Sequence, residues 1–147
     1  MTLPPRITMV TLGVADVAAA TAFYERLGFV KSSASNDSVT FFRLDGTVLG
    51  LFGRADLAAD AQVEDSRPGF SGVTMAQNFA SEAEVDDAFA HALACGATPA
   101  KAPEKVFWGG YSGYFSDPDG HIWEVAHNPF WTIGEDGSLR MEPPAGT

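Results

Sequence analysis

Apolar and polar positions along this chain fall into two successive series with the same order. ITMVTLGV (7–14) is rich in β-branched residues and reads as a strand. ADVAAATAFYERLGF then changes to helical spacing. Val17, Ala20, Phe23 or Tyr24, and Leu27 share one face, Asp16 stands at the N-cap position and Gly28 at the stop. FVKSS, SVTFFRL and TVLGLFGR read as three short strands, with SND and DG as turn signals between them.

The series returns near residue 70. GVTMAQNF (72–79) is again β-like. In SEAEVDDAFAHALACG, Ser81 and Glu84 form a capping box, Val85, Ala88, Phe89 and Ala92 supply the apolar stripe, and Gly96 ends the helix. ATPAKAP, VFWGGYSGYFSD and HIWEVAHNP follow as three more strands. Strand, helix and three strands thus occur twice, which predicts an α+β fold of two βαβββ modules, about 6–53 and 70–128, within a single domain spanning 1–147. Residues 54–69 have the composition of a linker with room for a helical turn. The tail 129–147, with Phe130, Trp131, Ile133 and Leu139 among Gly and Pro, is expected to fold back over a sheet edge or across a partner subunit. Each sheet can pack its helix on one face and leave the other concave, so two such faces predict a central cavity lined by alternate strand positions.

Charge and composition narrow the functions. With 46% hydrophobic residues in 147, the chain can bury one full core. Nine Lys and Arg against 19 Asp and Glu give a net charge of −10 with no basic tract, which argues against nucleic-acid binding, because phosphate contacts need clustered cations. The opening MTLPPRITMV lacks the pattern of a signal peptide, and no apolar run reaches the ~18 residues of a membrane span. A cytoplasmic protein with no membrane partner is the expectation. A lone cysteine, Cys95, excludes an internal disulfide framework.

GVADVAAATAFYERLGF, the turn SDPDGHIWEV and the duplicated βαβββ order resemble the vicinal oxygen chelate superfamily over roughly residues 6–128. That superfamily takes in glyoxalase I, extradiol dioxygenases, fosfomycin-inactivating transferases and bleomycin-binding resistance proteins. The resemblance implies a glyoxalase/bleomycin-resistance-like fold and a homodimer. In metal-dependent members it implies four inward-facing ligands, which carry over onto Met9, Gly50, Gly72 and Glu124. Only Glu124 offers a hard ligand. Glycine has no side chain and a methionine thioether is soft, so no metal and no cofactor are expected. Gln77 would be a weak substitute, and only if a β-bulge near Ala76 turned it inward.

The aromatic stretch 106–116 suggests a binding wall. Strict alternation places Trp108 and Tyr114 on one face and Tyr111 on the other, and Gly109 and Gly110 suit a turn or a close approach. Phe41, Phe42 and Phe52 are candidates for an opposite wall, though each taken alone suits the core better. Glu124, in an apolar strand, is a candidate general base, with the Tyr114 hydroxyl as its assistant, or a carboxylate neutralised by Arg6, Arg26 or Arg43. His121 and His127 do not share its face. Cys95 and His91 are four residues apart on the helix, where a buried, inert thiol is the expectation. Asp117 and Asp119 read as turn residues. The function expected is binding of a small organic molecule in an aromatic-lined cavity by Met9, Gln77, Trp108, Tyr111, Tyr114 and Glu124. The alternative is a lyase, isomerase or dioxygenase-like enzyme using Glu124 as base or as residual metal ligand.

Overall fold

The computed structural model describes residues 2–3, 5–66 and 69–141. Residues 67–68 of the expected linker and 142–147 of the tail lie outside the described residues. The chain forms two compact units, Met1–Ser71 and Gly72–Thr147.

The first unit runs β1 (Met9–Val14), α1 (Val17–Leu27), β2 (Val39–Arg43), β3 (Val48–Gly53) and α2 (Arg54–Ala61). Its sheet has the order β1-β3-β2, with β1 parallel and β2 antiparallel to β3. The Asp16 side chain caps α1 by accepting from the Ala19 N–H at 3.0 Å. At the other end Gly28 adopts φ +117°, and the Gly28 and Phe29 N–H groups close on the carbonyls of Glu25 and Tyr24. The face thus delimited buries Ala20, Thr21, Phe23 and Tyr24. Leu12, Val14, Thr40, Phe42, Leu49 and Leu51 are also buried, on alternate strand positions that the pairing register aligns on one face. The rings of Tyr24, Phe29 and Phe42 stand 5.5–6.0 Å apart in tilted and edge-to-face pairs. Such pairs add about 0.5–1.5 kcal/mol each to the area they bury. Phe42 is therefore core, while Phe41 and Phe52 belong to the opposite face.

The structure departs from the expected strand pattern at FVKSS, which retains only one bridge, from Lys31 to Phe42. Local side chains take over the β2 edge. Ser35 Oγ accepts from the Phe41 N–H at 2.9 Å, and Asn36 Oδ1 accepts from Ser38 and Val39 at 2.8 and 3.1 Å. Ser and Asn commonly compete with strand pairing in this way. The expected linker is largely a helix. Exposed α2 is followed by a chain segment that Asp65 ties back to Arg54 at 2.7 Å.

The second unit holds the full βαβββ series: β4 (Thr74–Asn78), α3 (Glu82–Ala94), β5 (Thr98–Lys105), β6 (Tyr111–Ser116) and β7 (Ile122–His127), followed by the two-residue strands β8 (Thr132–Ile133) and β9 (Leu139–Arg140). The main sheet has the order β4-β7-β6-β5. Ser81 Oγ accepts from the Glu84 N–H at 3.2 Å while Glu84 Oε2 reaches back to the Ala80 N–H at 2.8 Å, completing the capping box one residue beyond the cap. Val85 and Ala92 of α3 are buried, as are Phe115, Trp123 and Val125 of the sheet. Cys95 is also buried, with Sγ 3.7 Å from His91 Nε2. No described helix is long and apolar enough to cross a membrane.

One buried polar contact in the first unit allows a sharp test. The Thr21 hydroxyl donates to the Val17 carbonyl at 2.6 Å, so Thr40 must be the donor in the 2.7 Å contact between the two hydroxyls. Thr21→Val should strand the Thr40 hydroxyl at a cost of about 1–3 kcal/mol, whereas Thr40→Val should lose only a net hydrogen bond, about 0.5–1.5 kcal/mol. In urea unfolding the double variant should be less destabilised than the sum of the singles. Additive losses would show that the two hydroxyls do not depend on each other.

Candidate functional site

The site is organised by the SDPDG turn between β6 and β7. Asp117 is buried, and its Oδ1 accepts from the N–H groups of Asp119 and His121 at 3.0 and 2.8 Å. Its own N–H bonds the His121 carbonyl at 2.9 Å, and Gly120 completes the turn at φ +86°. Asp117 is thus a turn residue, as its sequence context predicts. The turn sets the register in which Tyr114 pairs with Glu124 and Ser112 with Ala126. On the other side of β7, Ala76 pairs with Glu124 and Asn78 with Ala126. Laterally paired residues share a face, so Tyr114, Glu124, Ala126, Ala76 and Asn78 all project from the side of the sheet opposite buried Trp123 and Val125.

On this open face lies a cleft of about 340 Å³. Ala76, Ala126 and the Glu124 carboxylate lie along its strands, and Asn78, Asn128, Trp108 and Trp131 complete its lining. The two alanines leave the space that larger side chains would fill. Trp108 does not come from a strand, as alternation had suggested. Residues 106–110 form a turn in which Gly109 bonds the Val106 carbonyl and Val106 bonds the Gly110 carbonyl, both at 3.0 Å. The two glycines have separate tasks. Gly109 has φ +93° and meets the Phe130 ring, with a Cβ placed there 3.0 Å from it. At Gly110 a Cβ would fall 1.7–2.6 Å from atoms of the Trp108 ring, so that ring lies directly over the glycine. Opposite in sequence, the Asn128 Oδ1 accepts from the Phe130 N–H at 2.9 Å and the Trp131 N–H reaches the Asn128 carbonyl at 3.2 Å. This turn brings Trp131 to the cleft.

Tyr114 is adjacent to the acid. Desolvation, and then the hydrogen bond to Glu124 and the charge of that carboxylate, hold the phenol pKa above its ordinary value. The phenol therefore stays protonated as donor, and Glu124 as acceptor. Tyr111 stands on the other face, where its hydroxyl donates to Asp86 of α3 at 2.7 Å and its pKa is raised chiefly by that bond. Gln77 pairs with Val125 in an unbroken β4–β7 register. No bulge turns it toward Glu124, which corrects the alternative raised for it. His127 lies on the Trp123 and Val125 face and donates from Nδ1 to the Phe79 carbonyl at 2.9 Å. Met9 is in the first unit, on the face of β1 that it shares with Thr11. The structure thus brings Trp108, Glu124 and Tyr114 together and separates them from Tyr111 and Gln77. Sequence reading missed Ala76, Asn78, Ala126, Asn128 and Trp131. The alternation from Glu124 to Ala126 was available, but the position of the tail beside the sheet left no periodic signal.

The donor set does not suit the divalent ion implied by the resemblance. In the first unit Gly50 pairs with Thr11, and a Cβ on Gly50 would lie 3.2 Å from the Thr11 hydroxyl and 3.7 Å from the Phe41 ring. Gly72 precedes β4 at φ +82° and does not lie on the strand. The strand neighbour of Glu124 is Ala76. No three His, Cys, Asp or Glu among the described residues are grouped to hold a metal. A lone carboxylate flanked by alanine and two indoles lacks the oxygen and nitrogen ligands that hard cations require.

The chain matches the model of the Glyoxalase/Bleomycin resistance protein/Dioxygenase superfamily over residues 6–125. It belongs to that family. Among solved structures it is similar to a glyoxalase-related enzyme from Fulvimarina pelagi, with 34% identity over 95% of this chain and 100% of that one, at a TM-score of 0.85. A glyoxalase/bleomycin resistance protein/dioxygenase from Nocardioides is 27% identical over 86% of this chain and 85% of its own, at 0.72. Lactoylglutathione lyase from Agrobacterium tumefaciens is 25% identical over 88% and 98%, at 0.66. No curated protein matches the chain.

Gly110→Ala should displace the Trp108 ring with little effect on the strands, visible as a change in indole emission while the far-ultraviolet circular dichroism is retained. An unchanged emission spectrum would mean that the ring does not rest on Gly110. The donor chemistry further predicts less than about 0.2 equivalents of transition metal in purified protein and a melting temperature unmoved by EDTA, since a tight ligand stabilises the native state by linkage. One full equivalent of Zn, Ni, Mn or Fe by elemental analysis would contradict it.

Proposed function

We propose that the protein binds a small organic molecule in the cleft between Trp108 and Trp131, without a tightly held metal. One observation carries this reading. Two half-exposed indoles, 38% and 37% accessible, flank a carboxylate above strand positions reduced to alanine, where a packed sheet surface would hold larger side chains. Indole faces offer large, rigid apolar area to a ligand, and Glu124, Asn78 and Asn128 offer polar contacts that orient it.

The Tyr114–Glu124 pair supports a second reading, in which Glu124 removes a proton beside a substrate carbonyl and the phenol donates to a developing oxyanion. The two readings diverge in one variant. Glu124→Gln should leave the affinity of a neutral ligand within about tenfold if the protein only binds, whereas a general base should lose about 10²–10⁴ in turnover with affinity largely kept.

A thermal-shift screen of small carbonyl compounds, aromatics and organic cations should identify ligands. Any compound that raises the melting temperature should also quench or shift tryptophan emission, and the response should persist in Trp123→Phe, because that ring is buried on the other face. It should disappear when Trp108 and Trp131 are both replaced by Phe. A stabilising ligand that leaves the emission of the Trp123→Phe variant untouched would place binding elsewhere and overturn the reading.

A further inference from the structure

We infer that the cleft selects an organic cation, an alkylated ammonium carrying a hydroxyl or carbonyl oxygen, rather than a neutral or anionic molecule. This rests on the reading that the cleft binds a small molecule, and adds its charge class and polar pattern. Three independent features of the lining point to it.

The first is charge. Glu124 is the only ionisable group among the seven lining residues, and none of them is Lys or Arg. The lining therefore presents one anion without an offsetting cation, and a half-buried carboxylate of that kind gains from a positive ligand. Tyr114, paired with Glu124 across β6 and β7, is a neutral donor beside the acid and adds no positive charge to offset it.

The second is the nature of the walls. Indole is the best aromatic face for a cation, and alkylated ammonium groups, which shed water easily, exploit it most fully. Trp108 and Trp131 come from separate turns, each held by its own backbone hydrogen bonds, and both line the cleft beside Glu124. The third is Asn128. Its Oδ1 is committed to the Phe130 N–H, so the amide NH₂ remains to donate, and a donor beside a cation site calls for an acceptor oxygen on the same ligand. A volume of about 340 Å³ admits a group of that size. The chain's net charge of −10 would draw such ligands toward the protein as a whole.

Choline and its uncharged carbon isostere, 3,3-dimethylbutan-1-ol, provide the test, because they share shape and hydroxyl and differ only in the charge. Titrated into the full chain at constant ionic strength, choline should give saturable quenching of tryptophan emission, and the isostere should bind at least about tenfold more weakly. Glu124→Gln, which retains size and both indoles, should cut the preference for choline to about threefold or less, the remainder being what exposed cation–π contact alone supplies. Trp131→Leu should weaken choline about threefold or more, with unchanged circular dichroism showing that the fold persists. Equal binding of the isostere, or an unchanged preference in Glu124→Gln, overturns the cation assignment and leaves the cleft a neutral-ligand site. Failure of choline to bind while a neutral or anionic compound from the screen does so has the same meaning. Failure of every compound overturns both the assignment and the binding reading beneath it.

Discussion

The buried Asp117 carboxylate constrains everything the second unit can do. By accepting two backbone N–H groups across the β6–β7 turn, it fixes the count of residues between the strands, and a strand's faces alternate with a period of two. A slip of one position would send Glu124 to the side of Trp123 and place Trp123 in the cleft. The same register, passed through β7 to β4, sets Ala76 beside Glu124 and so determines that the acid stands next to empty space. A polar group seldom buried thus governs a site it does not touch.

What was legible in the sequence was mostly what local chemistry dictates. Asp16 and Gly28 delimit α1, Ser81 and Glu84 start α3, and DPDG makes the hairpin, because caps and tight turns depend on residues within a few positions of each other. The FVKSS strand failed because its pattern alone could not show that Ser35 and Asn36 would satisfy the β2 edge. Trp108 lines the cleft, but alternation is not what places it there, since alternation does not run through a turn that Gly109 bends at positive φ. Trp131 was missed because the tail has no period from which a facing could be read, and Asn128 because it stands just past the end of β7. Long-range placement, here the tail beside the sheet, is what a single sequence encodes least directly.

The family's chemistry and this chain's chemistry diverge at the strand positions. Where the resemblance implies ligands, the chain has methionine at 9 and glycine at 50, Gly72 falls outside β4 so that the strand neighbour of Glu124 is Ala76, and the one retained acid is paired with Tyr114 and shares its cleft with two indoles. Side chains as small as Ala76 and Ala126 leave the cleft beside Glu124 open, and in the proposed function a carboxylate there can balance a ligand's charge.

That Trp108 belongs to a turn has a further consequence. The pairings of β4 to β7, the Asp117 hairpin and the α3 cap use no residue of 106–110, while the backbone hydrogen bonds of that segment from Gly109 to Val106 and from Val106 to Gly110 close within it. Frame and wall are therefore separable inheritances. Relatives could exchange this five-residue arch for another of different length or chemistry and acquire a new molecular taste without refolding, so that drift in recognition within such a scaffold should concentrate in its loops long before it reaches its strands.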